Sequence, residues 1–391
     1  MDTPGRDRWV GVGESADESA RAAGAAAGRA ALTGDHAQLL LVFGSADYDL
    51  PELLAGVAHI AGDVPVVGCS TAGEIGAAQS SRSSGVVVVG IGGSGFDVRT
   101  AYASGLGHDP RGSGAAVAAS LQPLSQRAHH VAIMLIDSLA ADQTELIRGA
   151  YGVFGAGVPL IGGGAGDNMR FASTHQFFGE RLLQNSVVAA VISSDSPFGI
   201  GTRHGWSAVS EPMEVTSSTG GVVHTLDGRP ALEVYLQLLD APEGIEHDQV
   251  KFTDFALVHP LVLSRRGDDF VRHVMAADPS TGSLICGGAM PRGATVRTSD
   301  GDAESTLRSA DEACADAIAG LDGLPALGLL VFDCVGRRVL IGDEGIVAEC
   351  AAIRSRAGDA PVGGFYTYGE IARTNGVEGF HNQTIVTLAL S

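Results

Sequence analysis

The segment PVVGCSTAGEI (65–75) returns as PVGGFYTYGEI (361–371), with seven of eleven positions identical. A third version, VPLIGGGAGD (158–167), is one residue shorter between its proline and its acid. Each version follows an apolar run of strand character and then a helical pattern. These are LLLVFG and DLPELLAGVAHI, then VAIMLID and ADQTELIRGAYGVF, then LGLLVFDC and EGIVAECAAIRSRAG. A strand–helix–P-x-x-G loop–strand unit therefore recurs three times. The spacings are unequal, which points to duplicated subdomains and not to a solenoid of fixed period. Alternating strands and helices predict an α/β fold. Strands joined by turns as short as Gly90–Gly95 require antiparallel pairs as well. The expected architecture is mixed β-sheets with outer helices, in two pseudo-related halves built from the repeated units. A pocket is expected where the halves meet.

Local signals refine this picture. Ser15 and Glu18 have the spacing of a capping box before an alanine-rich helix reaching about Leu32. Pro51 suits the first turn of the next helix. Asp227 and Pro230 are expected to start a helix with Leu232, Tyr235, Leu236 and Leu239 on one face. FGIGTRHGW (198–206) reads as a loop, and DGDAESTLRSADEACADAIAGL as an acidic helix with one wet face. The boundary between the halves is placed at 228/229, giving units 1–228 and 229–391.

Composition narrows the function classes. The chain has 55 glycines in 391 residues, about twice the ordinary usage of about 7%. They punctuate apolar runs, which favours tight turns and close backbone contacts over disorder. The formal charge of −20 argues against binding nucleic-acid backbones. Lys251 is the sole lysine against many arginines, the mark of a genome rich in G and C. The five cysteines are scattered without a C-x-x-C pair, so neither a disulfide framework nor a zinc site is expected. MDTPGRDRWV lacks the apolar stretch of a signal peptide, and no apolar run approaches the ~18 residues of a membrane helix. The expectation is a soluble cytoplasmic protein that binds no membrane.

Familiar catalytic motifs fail on inspection. Gly90–Gly95 fits G-x-G-x-x-G but is followed by residues of strand period, whereas a dinucleotide fingerprint must open a helix. It reads as a hairpin turn. GCSTAG resembles a nucleophile elbow, yet Ala72 stands where the second glycine belongs. No phosphate loop or His-Glu-x-x-His occurs. His129 and His130 are adjacent, so they point to opposite faces of a strand entry. No catalytic residues are assigned, and the chain is not expected to be an enzyme.

The glycine-rich loops remain. Glycine lets backbone N–H groups face a cavity, a nest suited to a carboxylate or other small anion. The expected ligand-binding set is Cys69, Ser70, Thr71, Glu74, Gly163, Gly164, Asp167, Tyr366, Tyr368, Glu370, Arg373 and Asn375, joined by Arg203 and His204 from the polar-aromatic cluster RHGW. Arg373 is expected to grip a carboxylate and Glu370 or Glu74 to meet an ammonium. The plainer alternative is that these loops are tight connections whose glutamates cap helices or pair with arginines.

PLIGGGAGD, FGIGTRHGW, TLDGRPALEVY and GGFYTYGEIA, in that order, resemble the paired halves of FIST proteins, the F-box and intracellular signal transduction family. The resemblance runs over about 37–228 for the N half and 229–375 for the C half. It implies a sensory, ligand-binding module with amino acids among the suggested ligands. Relatives are often fused to chemoreceptor, kinase or cyclase outputs, and the eukaryotic C half accompanies an F-box. No output domain is evident here, so the expectation is a stand-alone sensor that signals through a separate protein partner. Some relatives sense nitric oxide through haem. That alternative would use His204 or His381 as axial ligand, and otherwise no cofactor or metal is expected. A protein-interaction scaffold is a further alternative.

Overall fold

The computed structural model describes residues 7–76, 85–140, 142–265, 268–374 and 379–391. The repeat is larger than its sequence signature. The first copy runs through strand Trp9–Ser15, helix Ala20–Ala31, strand Ala37–Ser45, helix Leu50–Ala61, strand Val66–Thr71, a two-residue strand Glu74–Ile75 and strand Val86–Gly92. The second follows the same order: Phe96–Ser104, Pro110–Ser120, His129–Ile136, Gln143–Phe154, Leu160–Gly164, Gln176–Phe178 and Ser186–Ser194. The third opens with strand Phe198–Arg203 and resumes with helix Ala303–Ala319, strand Gly328–Cys334, helix Val335–Ala357, and strands Val362–Thr367, Glu370–Arg373 and Ile385–Leu390. Between its opening strand and its first helix lies an inserted antiparallel sheet carrying the helices Ala231–Leu238 and Gln249–Leu257.

Each copy forms a mixed sheet of one design. The two strands flanking the second helix are parallel, as in Ala37–Ser45 with Val66–Thr71. The closing strand runs antiparallel to the first of these, and the opening strand antiparallel to the closing one. The other two copies repeat this order. The short strand is the exception, because it leaves its own sheet. Glu74–Ile75 pairs with Val362–Thr367 of the third copy, Glu370–Arg373 with Leu160–Gly164 of the second, and Gln176–Phe178 with Val66–Thr71 of the first. Three exchanges in one sense close a ring.

The inner faces of the three sheets share one core. Phe43 of the first copy stacks on Phe365 of the third at 4.8 Å and meets Phe332 edge-on at 6.3 Å. Ile133, Leu135 and Ile192 of the second copy complete the cluster. Helices cover the outer faces, so the strands are buried on both sides and read as continuous apolar runs such as Val86–Val89. The inserted sheet has its own core around Tyr235, Phe252, Leu263 and Val296. Arg272, fully buried, ties it to the third copy by donating to the Phe380 carbonyl at 3.1 Å.

Several local readings are corrected. The chain does turn at Gly93–Gly95, but Val86–Gly92 and Phe96–Ser104 part into different sheets and form no hairpin. Gly93, at φ 99, permits the turn. The first helix is capped by Ser19, which accepts from Ala22 N, while Ser15 ends the preceding strand. Six residues of FGIGTRHGW are a strand. Asp227 caps no helix; its carboxylate accepts from Glu214 N at 2.8 Å. The last long helix begins at Val335, nine residues before the expected Glu344, because Gly342 (φ 64, ψ −175) interrupts it and breaks its pattern.

Part of the glycine excess is explained by helix crossings. Gly24 lies on the backbone of Leu53 and Gly56 on that of Arg21, where a Cβ would collide with a carbonyl oxygen. Gly114 and Gly149 repeat the arrangement against Leu146 and Arg111. Gly152, in the same helix as Gly149, faces open space. Gly149→Ala is therefore expected to destabilise by about 1–3 kcal/mol through overpacking. Gly152→Ala should be neutral or stabilising by up to about 1 kcal/mol. Urea denaturation of the two variants checks this contrast.

Candidate ligand-binding site

The three loops do meet, at the centre of the ring. Tyr366 N donates to Gly73 O at 2.8 Å, and Ala72 N to Tyr366 O at 3.2 Å. Gly164 N donates to Gly369 O at 2.8 Å, and Tyr368 N to Gly164 O at 3.0 Å. Gly166 N donates to Ser70 O at 2.9 Å, and Asn168 N to Thr71 O at 3.1 Å. The matched Gly73 and Gly369 adopt φ 126 and 124, a conformation that side chains resist. Gly163 lies in the Leu160–Gly164 strand, opposite Glu370.

The open nest expected there is instead a packed junction, because these amides are bonded to carbonyls of the neighbouring copies. The side chains are committed too. Ser70 Oγ donates to Gly166 O at 2.7 Å and accepts from His175 N at 2.9 Å. Thr71 donates to Glu74, and Thr367 donates to Glu370 at 2.5 Å, one motif in two copies. Burial pushes both glutamates up to about 8 despite these hydroxyl bonds. Burial likewise raises the Cys69 thiol. Tyr366 donates to Glu349 at 3.1 Å.

The second copy, which lacks the threonine, behaves differently. Asp167 accepts from the amides of Phe171, Ala172 and Ser173 at 2.7–3.0 Å and from the Tyr368 hydroxyl at 2.5 Å. Burial opposes its ionisation, but these donors hold it below the usual carboxylate range. Arg373 does not reach into a cleft; it is buried over the Tyr151 ring, 3.2 Å from the centroid. Asn375 lies outside the described residues.

Arg203 and His204 lie elsewhere, in a cavity of about 530 Å³. One wall is Thr202–Ser207, at the end of the third copy's opening strand and just beyond it. A second is Ser305, Arg308, Ser309 and Glu312 of helix Ala303–Ala319. Asp269 and Phe270 of the inserted sheet supply a third, and Ala372, Thr374, His381 and Thr384 the last. Arg203 pairs with Asp316 at 2.5 Å and with Glu312 at 3.7 Å. Arg308 has no ion pair among the described residues. Asp269 accepts from Ser264 at 2.6 Å.

The two histidines present complementary edges. His204 Nδ1 accepts from Trp206 N at 3.1 Å, so the neutral ring carries its proton on Nε2. His381 Nε2 donates to Ala372 O at 3.0 Å, leaving the Nδ1 lone pair. Burial lowers both, His381 to about 4, so both are neutral at pH 7.

Behind the cavity is a network that the sequence did not signal. Arg337, fully buried, donates to Ser309 at 2.7 Å, Asp333 at 2.6 Å and Glu349 at 2.8 Å. Burial, then the Asp333 charge, drives Glu349 well above the carboxylate range. Two carboxyl groups thus share the one guanidinium of Arg337.

A porphyrin does not fit this lining. His381 Nδ1 has the lone pair of an axial ligand, but only Trp206, Phe270 and Ala372 offer apolar surface among the acidic and basic side chains of Arg203, Asp269, Arg308 and Glu312. No group of three or more His, Cys, Asp or Glu is placed to hold a metal ion among the described residues.

The FIST N domain matches residues 38–229 and the FIST C domain residues 231–373. The chain belongs to the FIST family. FIST domains are signal-transduction sensor domains. An uncharacterized protein of Mycobacterium tuberculosis is 27% identical over 385 residues, covering 96% of this chain and 97% of its own length. One from Mycobacterium bovis is 28% identical over 237 residues, 58% of this chain and 59% of its own. Among solved structures, a cyanuric acid hydrolase from A. caulinodans aligns over 48% of this chain and 70% of its own at 14% identity, with a TM-score of 0.28. No helix among the described residues of this FIST chain is long and apolar enough to cross a membrane.

The buried glutamates make the junction pH-sensitive. Native Glu74 and Glu370 keep their protons up to about 8, whereas unfolded glutamate releases its proton near 4.3. The native state thus binds more protons between these values, and stability falls as pH rises from about 4.3 to about 8. Glu370→Gln is expected to flatten that decline, read from urea midpoints at pH 5, 7 and 9.

Proposed function

We propose that this chain is a sensory module whose ligand, a small zwitterion of the amino-acid class, occupies the cavity beside His204 and His381. The observation that carries this reading is the charge pattern of the lining. Among the described residues, Arg308 is a cation without an ion-pair partner, and Asp269 is an acid that accepts from the Ser264 hydroxyl and has no ion pair. A carboxylate on Arg308 and an ammonium on Asp269 would satisfy both. The neutral histidines add one donor and one acceptor between them.

The cavity draws on the third repeat and the inserted sheet, so a ligand bridging them favours one relative placement of the two. Differential affinity of that kind is what a sensor requires. The signal would pass to a separate protein partner. A binding role also accords with the tethered Ser70 hydroxyl and the buried cysteines, which leave no activated nucleophile among them.

A thermal-shift panel of amino acids and related acids tests the proposal. A ligand at 100 times its dissociation constant should add about 2.7 kcal/mol of stability. Arg308→Gln, on an exposed helix face, should remove that gain while the unliganded melting temperature stays near wild type. No shift across the panel, or one that survives Arg308→Gln, refutes the assignment.

A further inference from the structure

Consecutive residues of the helix segment before Gly342 serve two different cavities. Arg337 reaches the first through Ser309. Arg338 lines a second, of about 480 Å³, with Asn168, Met169 and Arg170 of the second repeat's loop and Asp47 of the first repeat. This cavity therefore touches all three copies at the edge of their junction.

Its charges are unequally compensated. Arg170 pairs with Asp47, and Asn168 Nδ2 also donates to Asp47, at 2.8 Å. Arg338 is half-buried, donates to Ala72 O and lies 5.3 Å over the Tyr366 ring. No carboxylate pairs with it among the described residues. Glu74, the buried acid that its charge acts on, is protonated at neutral pH. Asp343 stands exposed at the rim, where water screens it. Met169, Val339 and Ile346 supply an apolar wall. Met169 is held at φ 63, between Asn168 at φ 54 and Phe171 at φ 50. Such left-handed non-glycine residues persist only where their surroundings enforce them, and here the amides that follow are anchored on Asp167.

We propose that this cavity is a second ligand site, separate from the first, that takes a small organic monoanion: a carboxylate on Arg338 and a short apolar chain against Met169, Val339 and Ile346. One uncompensated cation matches one negative charge, which favours a carboxylate over a dianionic phosphate. The guanidinium stacked on Tyr366 is pre-oriented, so little side-chain freedom is lost on binding.

Butanoate, hexanoate and octanoate, titrated calorimetrically into the full chain at neutral pH beside the corresponding alcohols, test the site. Affinity should rise with chain length for the carboxylates, and the alcohols should bind at least about tenfold more weakly. Arg338→Gln should weaken carboxylate binding at least about tenfold, and Arg338→Lys less. Val339→Glu, at an exposed position, should weaken it by repulsion and decides the matter if Arg338→Gln does not fold. Arg308→Gln should leave it unchanged, which separates this site from the first cavity. Equal binding of acids and alcohols, no binding of the acids, or wild-type titration of a folded Arg338→Gln or Val339→Glu overturns the proposal.

Discussion

Everything in this fold hangs on a closed ring of backbone hydrogen bonds among three loops. Each copy lends a short strand to its neighbour's sheet, in the sense first to third, third to second, second to first. Because the ring closes, each contributed strand is paired and the amides at its centre find carbonyls across copies. A buried polar group left without a partner costs about 1–3 kcal/mol, so once the loops pack together each buried amide needs the carbonyl that a neighbouring copy supplies. The requirement also explains the glycines at 73 and 369: backbones from different copies approach within hydrogen-bonding distance, at a φ that Cβ discourages.

Closing the ring has a chemical consequence. It buries two acids, Glu74 and Glu370, in matched Thr-x-Gly-Glu motifs, where burial pushes both up to about 8. It also pushes open space outward. Residues at the centre satisfy one another, while the two cavities form where the ring meets other parts: the inserted sheet for one, the interrupted helix for the other. The break at Gly342 separates a segment that touches both cavities from the remainder of its helix.

Periodicity exposed the repeated elements because strands buried on both faces must be apolar throughout and helices must begin with compatible residues. The near-identity of 65–75 and 361–371 exposed the duplication because both copies meet the same stereochemical demand: threonine, positive-φ glycine and buried glutamate in series. The second copy was harder to align, since its loop lacks the threonine and its aspartate caps the following turn. Those loops read as a ligand nest, yet several of their amides bond to neighbouring copies. A glycine-rich loop with free amides and one with amides bonded to a distant chain segment look alike in one dimension. Arg203 and His204 stand out in a polar-aromatic cluster and His381 beside a glycine-rich loop, whereas Asp269, Arg308, Ser309 and Glu312 do not stand out, because each lies in a stretch that reads as strand or helix.

By itself the sequence determined the α/β class, the threefold unit, the family and the scarcity of recognisable catalytic motifs. All of these follow from local pattern: period, composition, and residues whose backbone freedom is unusual. Tertiary structure alone decided which sheet each short strand joins, that the third copy is split by an insertion, and where open volume remains. Those outcomes depend on hydrogen bonds and packing between residues up to hundreds of positions apart, such as Arg338 with Ala72, and no local pattern carries them.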